Sequence, residues 1–144
     1  RVPTLRGVKF SNPDLLTLQR LVRAGGGRFD VLFGIDEQLL AALVLGVRGA
    51  VGSGYNFAAP LYNRLLTAAS ANDFAAAREH QFRGAELVVL MMRYGYLAAA
   101  KELMRMRGVE LGSVRLPNVP LTPEQAATFR REIEAGFAHL LARG

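Results

Sequence analysis

Short apolar stretches at residues 5–10 and 29–33, and a third opening at Gly49, alternate with segments of helical spacing; no other feature of the sequence narrows the fold as far. Strand, helix and strand occur within about thirty residues, which is the repeat of an α/β layer. After Pro60 the alternation stops, and the spacing predicts helices only, near residues 61–70, 73–94, 97–107 and 123–142. With 144 residues, of which 51% are hydrophobic and 21% charged, the chain has enough apolar material for one folded core. The first strand lies only a few residues from the amino end with no preceding element to cover it, so a missing first half is expected.

Local signals punctuate this pattern. Asn12-Pro13-Asp14 reads as a helix start, with Asn12 as cap, Pro13 in the first turn and Asp14 at the positive end of the dipole. Leu15, Leu18 and Val22 follow at helical spacing. Gly25-Gly26-Gly27 comes after a helix and before a strand, the reverse of the order that cradles phosphate, so it reads as a helix stop and turn. A helix over residues 37–45 ends at Gly46, with Asp36 at its N-cap position. Thr122, Pro123 and Gln125 form a capping box for the last helix, whose apolar residues Ala126, Phe129, Ile133, Phe137 and Leu140 make one stripe. The cluster at residues 87–92 is apolar on more than one face and is expected in the core. The proline-containing segment 115–120 reads as an ordered connection.

Several classes of chemistry are poorly supplied. Without cysteine the chain has no disulfide, thiolate metal site or thiol nucleophile. His80 and His139 lack metal-ligand spacing and each falls within a helical segment, and neither pairs with Ser53 as a base. No metal or cofactor is therefore expected. The net charge of +6 comes from 18 basic residues spread along the whole length without interleaved aromatics, so solvated faces are expected rather than a nucleic-acid surface. No apolar run reaches the ~18 residues that span a bilayer, so no membrane partner and a cytoplasmic setting are expected.

The candidate reacting group is Lys9, set in Gly7-Val8-Lys9-Phe10-Ser11. An ammonium in a buried apolar strand loses solvation, so its pKa falls from about 10.4 toward the 7–8 at which a lysine is a usable amine nucleophile for ketones. The plainer reading of the pentapeptide is a strand-end lysine whose head reaches solvent along its own stem. Asp36 and Glu37 follow the second strand directly, where either helix capping or ligand contact by two carboxylates is compatible with the pattern. Gly52-Ser53-Gly54 follows the third strand, and its small residues permit close approach of a ligand to backbone, with Ser53 as the exposed polar group.

Together, Gly7-Val8-Lys9-Phe10-Ser11, Phe33-Gly34-Ile35-Asp36-Glu37-Gln38-Leu39-Leu40 and Gly49-Ala50-Val51-Gly52-Ser53-Gly54-Tyr55-Asn56 resemble, in order and spacing, the N-acetylneuraminate lyase and dihydrodipicolinate synthase family. The resemblance implies the second half of a (β/α)₈ TIM barrel: strands six to eight within residues 1–71, then a carboxy-terminal helical extension over 72–144. It implies that Lys9 forms the Schiff base with a substrate keto carbon. Ser11 would line the sugar-binding wall, Gly34, Asp36 and Glu37 would meet sugar hydroxyls, and Ser53 would be a further hydroxyl contact. The implied reaction is cleavage of a sialic acid, N-acetylneuraminate, to pyruvate and N-acetylmannosamine without a cofactor.

The sequence departs from the family pattern at Gly54, where threonine is expected, and in two absences. It has no Gly-[Ser/Thr]-Thr-Gly-Glu loop to grip the substrate carboxylate and no proton-shuttling tyrosine after strand five; Tyr55, in the third loop, is no substitute. The chain alone is therefore expected to be inactive, and the full-length protein to be a homotetramer. The alternatives are a relative acting on another 2-keto acid, such as a dihydrodipicolinate synthase or a 2-keto-3-deoxy-sugar aldolase, and a non-catalytic binding or regulatory chain. The pair Asp36-Glu37 favours a polyhydroxy substrate over a small semialdehyde.

Overall fold

The computed structural model describes residues 2–141. Its elements run β1 (Gly7–Phe10), α1 (Leu15–Arg23), β2 (Asp30–Phe33), α2 (Leu39–Val44), β3 (Gly49–Ala50), α3 (Tyr55–Ser70), α4 (Phe74–Arg93), α5 (Tyr96–Met106) and α6 (Pro123–Leu141). The strands form one parallel sheet in the order β1-β2-β3, with Phe10 opposite Phe33 and Phe33 opposite Ala50. Parallel neighbours need crossover connections, and α1 and α2 supply them. The loops after all three strands consequently open at the same edge of the sheet, which is what can gather Lys9, Asp36 and Ser53.

The helix limits follow from capping chemistry. Asp14, not Asn12, caps α1: its carboxylate accepts from the Thr17 amide at 3.1 Å, while Asn12 Oδ1 accepts from the Asp14 amide at 2.8 Å. Asn12 thus makes the turn that precedes the helix, and Pro13 falls before the first turn rather than within it. The triple glycine is the stop and turn its position implies, since Gly25, Gly26 and Gly27 all have positive φ (59°, 73° and 77°). Thr122 and Gln125 form the expected reciprocal box on α6, with Gln125 N donating to Thr122 Oγ1 at 3.2 Å and Thr122 N donating to Gln125 Oε1 at 2.9 Å. The expected end of this helix at residue 142 lies outside the described residues.

Two boundaries differ from the sequence pattern. The segment expected as a helix over 37–45 is divided into a 3₁₀ turn, Asp36–Gln38, and the short α2. Helix α3 begins at Tyr55 and carries Pro60 inside it; the strain is taken up at Ala58 (φ −121°, ψ 24°). A proline lacks the amide that would bond back one turn and its ring crowds that carbonyl. The chain tolerates this because Pro60 falls in the second turn, where the break separates a short first turn from the long remainder.

Packing divides into two layers. On one face of the sheet Val31 and Phe33 meet Leu18 of α1, Ala42 of α2 and Val47. The larger core lies among the carboxy-terminal helices, where Phe57, Leu61 and Leu65 of α3 pack with Leu87 and Met91 of α4, Leu103 of α5, and Phe129 and Ile133 of α6. The residue 87–92 cluster is mainly core, as its composition suggests, with Val89 and Met92 exposed. The α6 stripe holds at Phe129 and Ile133, both fully buried, and at Phe137, which packs against the core; the side chain of Leu140 lies outside the described residues. Glu102 is buried between α5 and α6, with Arg105 Nη1 at 2.9 Å and Arg130 Nη2 at 2.5 Å. Two guanidinium groups on one carboxylate supply the compensation a buried charge requires.

Candidate active site

Strand β1 is an edge strand, paired on one side only, and this corrects the expectation of a buried strand around Lys9. Val8 is 40% exposed and Lys9 is exposed, so this chain by itself does not desolvate the amine. Lys9 nonetheless leans across the sheet toward the loop after β2. A Cβ on residue 34 would lie 2.6 Å from Lys9 Cε and would overlap Ser11 Oγ, so only glycine lets the two strand ends approach this closely.

Lys9, Gly34, Asp36, Glu37, Gly52 and Ser53 line one open cavity of about 230 Å³, to which Val88 and Met92 of α4 and Tyr96 of α5 also contribute. Five of the six residues singled out in the sequence are thereby brought together. The sixth, Ser11, is exposed and lies outside the lining, packed against Gly34.

Asp36 does not cap the helix that follows it; the 3₁₀ turn has no side-chain cap. Instead its carboxylate, 5% exposed, crosses to the third loop, where Oδ2 accepts from the Gly54 amide at 2.7 Å. A Cβ on Gly52 would overlap Asp36 Oδ1, so that glycine is the floor on which the carboxylate rests. Gly54 is also tight: a Cβ there would lie 2.5 Å from Asp36 Oδ2. Asp36 Oδ1 and the Tyr55 hydroxyl are both buried and interact with each other outside ideal hydrogen-bond geometry, with no better-aligned partner among the described residues. Burial raises the pKa of Asp36 above the ordinary carboxylate value, against the lowering effect of the Gly54 amide. Burial and the neighbouring Asp36 push the Tyr55 phenol upward, so it stays protonated and is no general base.

Two residues that sequence reasoning missed complete the site, Tyr96 in the cavity lining and Gln81 behind it. Tyr96, the first residue of α5, meets Ser53 with 2.8 Å between Oη and Oγ, although 43 residues separate them. Burial raises its pKa, so this pair is a neutral hydroxyl pair that can turn a donor or an acceptor toward the cavity. Gln81 of α4 ties down the preceding loop. Its Oε1 accepts from Leu40 N at 2.7 Å and its Nε2 donates to the Asp36 carbonyl at 3.1 Å. No local signal in the sequence marks either residue, since each acquires its role only when α4 and α5 pack over the carboxyl edge of the sheet.

The arrangement offers one primary amine, two carboxylates of unequal exposure and a hydroxyl pair around a space the size of a small polar molecule. Among the described residues no cluster of three metal-ligating side chains occurs. No helix among them is long and apolar enough to cross a membrane.

Residues 1–136 match the Dihydrodipicolinate synthetase family. A relative from Gallus gallus, N-acetylneuraminate lyase, is 38% identical over 138 residues, covering 94% of this chain and 45% of its own length. The N-acetylneuraminate lyase structure from Aliivibrio salmonicida superimposes with a TM-score of 0.91 at 38% identity, over 99% of this chain and 47% of that one. The corresponding Proteus mirabilis structure gives 0.90 at 37% identity, over 94% and 46%. The chain thus spans about half the length of the relatives it matches, and the matched half contains the sheet, the cavity and the covering helices. The chain belongs to the Dihydrodipicolinate synthetase family.

Proposed function

We propose that this chain is the carboxy-terminal part of a Schiff-base lyase that cleaves N-acetylneuraminate to pyruvate and N-acetylmannosamine. Strands β1, β2 and β3 correspond in this reading to strands six, seven and eight of a (β/α)₈ barrel, with residues 1–71 forming the barrel segment and 72–144 its helical extension. The observation that carries it is the convergence of Lys9 from strand β1, Asp36 and Glu37 from the loop after β2, and Ser53 from the loop after β3 on one cavity. The similarity to lyases named for this substrate gives the class of reaction.

Lys9 Nζ attacks the substrate's C2 keto carbon, and loss of water leaves an iminium. As the bond between C3 and C4 breaks, its electron pair flows to the iminium nitrogen and gives the enamine of pyruvate. The C4 hydroxyl gives up its proton and C4 leaves as the aldehyde of N-acetylmannosamine. Protonation at C3 and hydrolysis then release pyruvate and restore the amine. Glu37 and Ser53 meet the sugar hydroxyls, the carboxylate accepting and the hydroxyl accepting or donating, while Asp36, its carboxylate buried, shapes the sugar side by holding the Gly54 amide through Oδ2. Gly34 lets the substrate approach backbone, and Ser11 supports it from beneath. The base for the C4 proton and the grip on the substrate carboxylate come from the other half of the barrel, which would also desolvate Lys9. A cytoplasmic homotetramer is the setting that accompanies this reading.

The test is reduction with borohydride in the presence of pyruvate. The full-length gene product should gain one reduced pyruvate unit on Lys9, and the 144-residue chain alone should release no pyruvate from N-acetylneuraminate. Absence of the adduct in the folded full-length protein would refute the proposal.

A further inference from the structure

We infer that Gln81 is a positioning residue that aims the sugar-side wall of the cavity without taking part in Schiff-base formation; this rests on the lyase reading above. The loop after β2 is poorly fixed by its own residues. Neither the 3₁₀ turn Asp36–Gln38 nor α2 has a side-chain cap, and α2 is six residues long. Gln81, half-buried on α4, supplies what is missing, since one amide group both donates to the Asp36 carbonyl and accepts from the Leu40 amide. It clamps the turn at its first residue and again at the first turn of the following helix.

Two consequences reach the cavity. Glu37 makes no hydrogen bond or ion pair of its own among the described residues, so the backbone of the turn that Gln81 holds is what fixes where its side chain enters the cavity. Asp36, held at its carbonyl by Gln81, holds the Gly54 amide with its carboxylate and so places Ser53 next to Tyr96. Gln81 thereby fixes both hydroxyl-binding loops from one point on α4. Lys9 is held differently, by the pairing of β1 with β2, in which Lys9 lies opposite Leu32. Disturbing Gln81 should therefore separate recognition of the polyhydroxy chain from reaction with the keto acid.

Two variants test this in the full-length gene product. Gln81→Leu removes both hydrogen bonds at similar size, whereas Gln81→Glu keeps the acceptor for Leu40 and loses the donor to Asp36. For Gln81→Leu, KM for N-acetylneuraminate should rise about tenfold with kcat little changed, and borohydride trapping of pyruvate on Lys9 should stay within about twofold of the parent. Gln81→Glu should fall between the two. Unchanged KM in folded Gln81→Leu would overturn the inference, as would a parallel loss of trapping and sugar cleavage, which would mark Gln81 as a general stability residue. If the parent protein itself forms no adduct, the lyase reading fails, and the positioning is decided by amide exchange. Faster exchange at Leu40 and Gly54 in Gln81→Leu, with Val31 and Phe33 unchanged, sustains it; unchanged exchange at all four overturns it.

Discussion

Substituting Gly52 by alanine isolates the contact on which the two hydroxyl-binding loops depend. The added methyl would overlap Asp36 Oδ1 and lie 2.4 Å from Asp36 Cγ, distances no side chain tolerates, so either the loop or the carboxylate must move. Gly52 has no positive φ, so backbone conformation adds nothing to the cost. Overpacking of a close site costs ~1–3 kcal/mol. If the carboxylate moves, its hydrogen bond with the Gly54 amide is lost, and a bond to a charged group is worth ~1.5–3 kcal/mol. These are alternative routes to relief more than additive terms, so the expected loss is about 2–3 kcal/mol, or ~3–5 °C in Tm for a protein about twice the length of this chain. Urea unfolding of the full-length gene product, followed by circular dichroism, measures it. The decisive comparison is the double-mutant cycle with Asp36→Ala, in which the methyl meets no carboxylate and should cost less than about 0.5 kcal/mol. A Gly52→Ala protein as stable as the parent, or an equal cost in the Asp36→Ala background, would refute the reasoning.

Asp36 also carries a pH signature. Its folded pKa lies above the ordinary carboxylate value because of burial, so its contribution is fully present below the unfolded pKa and is lost as pH rises through the folded one; unfolding curves should show stability falling across that window, and Asp36→Asn should flatten the dependence. Arg130→Met leaves the buried Glu102 with one guanidinium instead of two and should destabilise by ~3 kcal/mol, whereas Glu102→Met together with Arg130→Met should recover most of that loss in thermal unfolding. Ser53→Ala removes the partner of the Tyr96 hydroxyl and one hydroxyl from the cavity, so KM for N-acetylneuraminate should rise several-fold while pyruvate trapping on Lys9 is preserved.

The order of strands and helices was legible because it depends on period and punctuation. Alternating apolar stretches, the triple glycine and the Thr122-Gln125 box are local signals, and each is realised within a few residues of where the sequence places it. Legibility ended where tertiary contacts compete with local ones. Asp36 stands at a capping position, but its carboxylate gains more from a buried amide 18 residues away than from solvent-facing amides of its own turn. Pro60 reads as a helix boundary, yet burial of Phe57, Leu61 and Leu65 continues the helix around it. Lys9 reads as a buried strand residue because β1 is apolar, while in this chain β1 is an edge. Tyr96 and Gln81 were invisible for a related reason: their partners lie on other elements, and no spacing rule connects residues more than forty positions apart.

Reductive trapping at Lys9 tests the central claim most directly. The full-length gene product, treated with pyruvate and borohydride and digested, should yield the peptide carrying Lys9 with one reduced pyruvate attached, and Lys9→Arg should abolish the adduct because a guanidinium does not condense to an iminium. A folded protein that gains no adduct, or gains it on a different lysine with Lys9 unmodified, would contradict the account.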